Sequence, residues 1–79
     1  MGKKKAPPDI RELFGDAVRA RREELELTQE EFAERAKIHR TYVSDIERGS
    51  RNVSLINIEK LAVALSMSIA ELFELVEKP

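Results

Sequence analysis

Residues 39–52 read HRTYVSDIERGSRN, and they hold the side chains best suited to recognition chemistry. Arg40 carries a planar fork of donors that can bond both O6 and N7 of a guanine. Its ordinary alternative is a solvated cation at a helix start, where the helix dipole slightly disfavours it. Thr41 can bond a base or a phosphate, or touch a thymine methyl; it serves equally well as neutral surface. Tyr42 can stack or hydrogen-bond in a groove, or pack on a neighbouring helix with its hydroxyl exposed. Ser44 is small enough to permit close approach. Asp45 could accept from a cytosine amino group. Beside phosphates, however, a carboxylate more often repels or pairs with an arginine, so Asp45 stays outside the base-reading set. Arg51 and Asn52 follow Gly49 in a loop that can reach a phosphate backbone or a groove edge, with an ordinary polar loop as the alternative.

Catalytic and metal chemistry have little to draw on. The 79 residues include no cysteine, and His39 is the only histidine. Disulfides and Cys-ligated zinc are therefore excluded, and a His-based metal site would have a single ligand. No nucleophile–base set is present, so the expectation is a non-enzyme without metal or cofactor. No apolar run approaches the roughly 18 residues of a membrane span, and MGKKKAPPD lacks the apolar stretch of a secretory signal. A soluble cytoplasmic protein is expected. The formal net charge of −1 argues mildly against a polyanionic partner, but distribution matters more than the sum. Acid is concentrated in Glu23, Glu24, Glu26, Glu30, Glu31 and Glu34, which leaves room for a basic face elsewhere.

The elements that would position these residues are all helical. Residues 1–8 form a flexible basic tail in which Pro7 and Pro8 forbid a helix. Residues 9–79 form one domain, too small for a thick core, so a partner subunit would help its stability. Asp9 and Glu12 have capping-box spacing, and Ile10, Leu13, Phe14, Ala17, Val18 and Leu25 recur at helical steps over about residues 10–25. Gly15 interrupts that helix at a cost of roughly 1 kcal/mol, tolerable if another backbone packs closely there. Thr28 with Glu31 opens a second helix whose apolar side is Phe32, Ala33 and Ala36. His39 is placed to cap a third helix over about residues 40–48, with Val43 and Ile46 inward, and Gly49 to end it in a left-handed conformation. Ser54 caps a fourth helix, with Leu55, Ile58, Leu61, Ala62 and Leu65 as its stripe. Ser68 with Glu71 opens a fifth. The second and third helices are joined by about three residues, the helix-turn-helix spacing, whose second helix can lie in a DNA major groove. Arg40, Thr41, Ser44 and Asp45 are then left facing outward.

Residues 14–73 resemble the XRE (lambda-repressor-like) helix-turn-helix family. The matching pieces are FG at 14–15, LTQEEFAERA at 27–36, the E-x-G ending at 47–49 and SLINIEKLAVAL in the fourth helix. Within the family, RTYVSDIERGSRN is similar to the controller proteins of restriction–modification systems. One departure is Lys37, where the family often has glycine; a left-handed lysine there would cost roughly 1–2 kcal/mol.

The resemblance implies a compact five-helix, lambda-repressor-like domain acting as a homodimeric transcriptional regulator on a pseudo-palindromic operator in double-stranded DNA. It implies base contacts from Arg40, Thr41, Tyr42, Ser44 and Arg51, and phosphate contacts from Arg22, Gln29 and Asn52. It also implies a structural ion pair between Arg22 and Glu47 that fixes the third helix against the first. Surplus apolar residues in and before the fifth helix suggest a two-fold interface through Met67, Leu72, Leu75 and Val76, with Ile69 and Phe73 turned inward. RNA polymerase is a candidate partner for the acidic block. The alternatives are a phage-type or antitoxin-type repressor, or a helical protein-interaction module that binds no DNA.

Overall fold

A computed structural model describes residues 7–78; the lysines of residues 3–5 lie outside them. Five helices follow one another: α1 Ile10–Glu24, α2 Gln29–Ala36, α3 Arg40–Glu47, α4 Leu55–Ala64 and α5 Ile69–Glu77. No strand occurs among the described residues.

The helix starts follow from local chemistry. Asp9, Thr28 and Ser68 each accept a backbone N–H at the third helical residue or before it, and Glu12, Glu31 and Glu71 answer to the cap's own N–H. Ser54 accepts from the Asn57 N–H at the start of α4. His39 occupies the corresponding position before α3 but makes no side-chain cap bond, because an imidazole is not the short oxygen acceptor this site favours.

The helix ends share one device. Glu26, Lys37, Gly49 and Ser66 all have φ near +60° to +77°. After each, two backbone bonds close the turn: Leu27 to Arg22 and Glu26 to Glu23, Ile38 to Ala33 and Lys37 to Glu34, Ser50 to Asp45 and Gly49 to Ile46, Met67 to Ala62 and Ser66 to Val63. These bonds satisfy carbonyls that a helix end would otherwise leave unpaired. Lys37 is therefore left-handed, at φ 60° and ψ 46°.

Phe14, Val18, Phe32, Ala36, Val43, Ile46, Leu61, Leu65, Leu72 and Val76 form the core. Gly15 sets the approach of α1 to α3. A Cβ at that position would stand 2.2 Å from the Ile46 carbonyl oxygen, so only glycine lets the two backbones lie this close.

α5 faces differently from the sequence expectation. Leu72 and Val76 are 0% and 1% exposed, part of the chain's own core and absent from the surface where a partner would meet them. Ile69, expected inward, is 39% exposed. Phe73 stacks obliquely on Phe14 with ring centroids 5.7 Å apart. The reason is the rotation imposed by packing on α1: residues 72 and 76, one turn apart, point into the bundle. Met67 and Leu75 are half-buried against the core. The large apolar side chains left in solvent lie mostly elsewhere, at Ile10, Leu55, Ile56 and Val63.

Candidate nucleic-acid interface

α2 and α3 are joined by Lys37, Ile38 and His39, and α3 is anchored from below by one carboxylate. Glu47 Oε2 accepts from Arg22 Nε at 2.6 Å, and Oε1 accepts from Arg22 Nη2 and from Gln29 Nε2, both at 3.0 Å. Arg22 Nη1 donates to the Leu27 carbonyl at 2.7 Å. The Arg22 and Glu47 side chains are only 10% and 4% exposed, and no buried side-chain polar atom among the described residues lacks a partner. The Glu47 hydrogen bonds raise the pKa of the Arg22 guanidinium above its already high ordinary value. Such a pair contributes little relative to apolar packing, but breaking one side strands a buried charge.

This geometry bears on two of the phosphate contacts that the resemblance implies. Arg22 has three of its N–H groups committed within the chain and little surface, so here it braces α3. The Gln29 side chain is likewise turned to Glu47. What Gln29 retains for an anion is its backbone N–H in the first turn of α2, which has no intrahelical acceptor.

The outer face of α3 forms a shallow groove with the start of α2, lined by Gln29, Arg40, Thr41, Ser44, Asp45 and Arg48. Arg40 and Thr41 are exposed and Ser44 half-buried. Arg40 enters no ion pair among the described residues. Arg48 belongs to this face although sequence reasoning passed it over as a helix end. Its spacing of three and four residues from Asp45 and Ser44 was the available signal.

Beyond α3, Arg51 comes back to the same face. Its Nε donates to Asp45 Oδ2 at 3.2 Å, and its guanidinium carbon lies 4.9 Å from the centre of the Tyr42 ring. Tyr42 is half-buried, and its hydroxyl accepts from Asn57 Nδ2 at 3.1 Å. Tyr42 therefore supports Arg51 and ties α3 to α4, with one ring face covered. Asn52 is exposed beside an apolar crevice lined by Ile10, Phe14, Val53, Ile58 and Phe73. Arg40, Thr41, Ser44, Arg48 and Arg51 are brought together on one side of the molecule.

A braced helix presenting donors over a short turn is the arrangement of a helix-turn-helix DNA-binding domain. The helix-turn-helix family model, HTH_3, matches residues 18–72, and the chain belongs to that family. It is 45% identical over 71 residues to the control protein C.MunI from a Mycoplasma species, covering 89% of this chain and 96% of that protein. It is 49% identical over 67 residues to the control protein C.BamHI from Bacillus amyloliquefaciens, covering 84% and 83%. Its fold is similar to that of the restriction–modification controller protein C.Esp1396I, solved as a tetramer in complex with its natural 35 base-pair operator. That match has a TM-score of 0.84 and 30% identity, covering 91% of this chain and 95% of that one. Among the described residues, no helix is long and apolar enough to cross a membrane.

Proposed function

We propose that this chain is a sequence-specific transcriptional regulator, the controller of a restriction–modification system, acting in the cytoplasm as a homodimer on a pseudo-palindromic operator. The observation that carries the reading is α3 itself. Its inner face is fixed by Glu47, and its outer face offers Arg40, Thr41, Ser44 and Arg48. Arg40 is the primary base reader, with Thr41, Ser44 and Arg51 beside it. The Gln29 N–H and Asn52 hold phosphates. The sequence likeness to controllers over nearly the whole chain supports this role over a general interaction module.

A second copy meets the chain over α4 and the start of α5, where Leu55 and Ile56 are 75% and 69% exposed and Ile69 is 39% exposed. That surface replaces Leu72 and Val76, which the core has taken. The acidic residues of α1 and α2 are exposed and face RNA polymerase when the dimer activates.

The test is selection of duplexes from a random-sequence library by the purified protein, followed by gel shifts at two salt concentrations. A two-fold symmetric consensus is expected, with half-site centres about 34 Å apart, one turn of DNA, and affinity that falls as salt rises. Failure to enrich any sequence would sink the reading.

A further inference from the structure

We propose that Asp45 sets how sharply this surface discriminates among DNA sequences, by holding Arg48 and Arg51 before DNA arrives. The proposal rests on the DNA-binding reading above. Asp45 is the one acid lining the groove formed with Gln29, Arg40, Thr41, Ser44 and Arg48. Its side chain is 18% exposed, against 63% for Arg48 and 50% for Arg51. One carboxylate oxygen accepts from Arg48 and the other from Arg51. Neither arginine pairs with any other acid among the described residues.

Further contacts fix where the two cations point. Arg48 Nη1 donates to Ser44 Oγ at 2.6 Å. Arg51 lies over the Tyr42 ring, and Tyr42 is held in turn by Asn57 of α4. Asp45 is itself tied down, because the Ser50 N–H and the Ser50 hydroxyl both donate to its carbonyl at 3.0 Å.

Two consequences follow from one carboxylate holding two arginines. Affinity for arbitrary DNA comes from cations that displace condensed counterions from phosphates. An arginine already offset by a carboxylate displaces fewer, and the carboxylate repels the phosphates directly. Background binding is held down. At the correct sequence, Arg51 arrives in a fixed pose and loses little freedom on making a base or groove-edge contact. Asp45 is thus a positioning residue for specificity, with no need to touch a base.

Asp45→Asn keeps the shape and removes the charge. It should be compared with wild type on two duplexes: the one wild type selects from a random library, and a scrambled duplex of the same composition. The variant is expected to bind the scrambled duplex at least tenfold tighter. Its plot of log affinity against log salt should steepen there by about one to two, since each freed cation adds about 0.9 to the slope. Affinity for the selected duplex should change less than threefold. Equal changes on both duplexes with an unchanged salt slope, or wild-type affinity for the scrambled duplex, overturn the proposal. If Asp45→Asn fails to fold, Asp45→Ser decides instead, on the same two duplexes and by the same measures: tighter binding and a steeper salt slope on the scrambled duplex support the proposal, and equal changes on both duplexes or an unchanged slope overturn it. A wild type that selects no sequence at all refutes the DNA reading together with this one.

Discussion

Arg22 of α1 and Glu47 of α3 face each other as a two-bonded fork, at 2.6 and 3.0 Å, and Gln29 of α2 adds a third bond to the same carboxylate at 3.0 Å. Three helices meet on one side chain directly beneath the face that would read DNA. Glu47→Ala or Arg22→Ala alone should cost about 3–5 kcal/mol, because each leaves the other charge buried and unpaired. The double change should cost clearly less than the sum of the two singles. Denaturant unfolding of the four proteins measures this, and additive losses would reject the coupling.

Lys37→Gly should stabilise the domain by about 1 kcal/mol, since a left-handed lysine carries a strain that glycine lacks. For a domain of this size, that corresponds to a rise of about 4–8 °C in Tm. Operator affinity should be unaffected, because Lys37 is absent from the groove lined by Arg40 and Ser44. An unchanged Tm would show that the turn imposes no such strain.

The parts of this architecture that depend on residue types at fixed offsets were legible in the sequence. Asp9 with Glu12, Thr28 with Glu31 and Ser68 with Glu71 announce helix starts because the reciprocal bonds need those side chains three residues apart. Gly15 and Gly49 were legible because nothing larger fits a 2.2 Å approach or a φ of 77° so easily. The Arg22–Glu47 pairing was recovered from resemblance to the family; spacing alone does not reveal a contact between residues on separate helices. The facing of α5 was misread because Ile69, Leu72, Phe73, Leu75 and Val76 offer almost no polar contrast from which to find the inside. Glu26 and Ser66 gave no sign of positive φ, since closing the helix end with two backbone bonds outweighs the preference of the residue that sits there. The links from Gln29 to Glu47 and from Arg51 to Tyr42 join groups that each look like ordinary surface residues.

Arg40→Ala should relax preference at one operator position and cost about 1–3 kcal/mol there, the range for a bidentate contact to guanine. Affinities for the selected operator and all its single-base variants give the profile. A uniform loss across the variants would move Arg40 from base reading to backbone contact.

Ile56→Glu should yield a folded monomer with weakened operator binding, because it places a charge on exposed surface proposed to meet a second copy. Leu72→Glu should instead unfold the chain, since it buries a carboxylate at a position with 0% exposure. Sedimentation at micromolar concentration, with helix content measured in parallel, separates the outcomes. A dimer persisting in Ile56→Glu would place the two-fold axis elsewhere.

The same pair of backbone bonds closes the chain as it leaves α1, α2, α3 and α4. Each corner is therefore fixed by its own geometry, and α3 is bolted to α1 and α2 through Glu47. Such a body is braced at each of these joints. If two copies meet DNA on one axis, as proposed, and the grooves do not match their spacing, bending or a change of groove width has to make up the difference. That deformation varies with sequence, so base pairs the protein never touches would still count towards the choice of site.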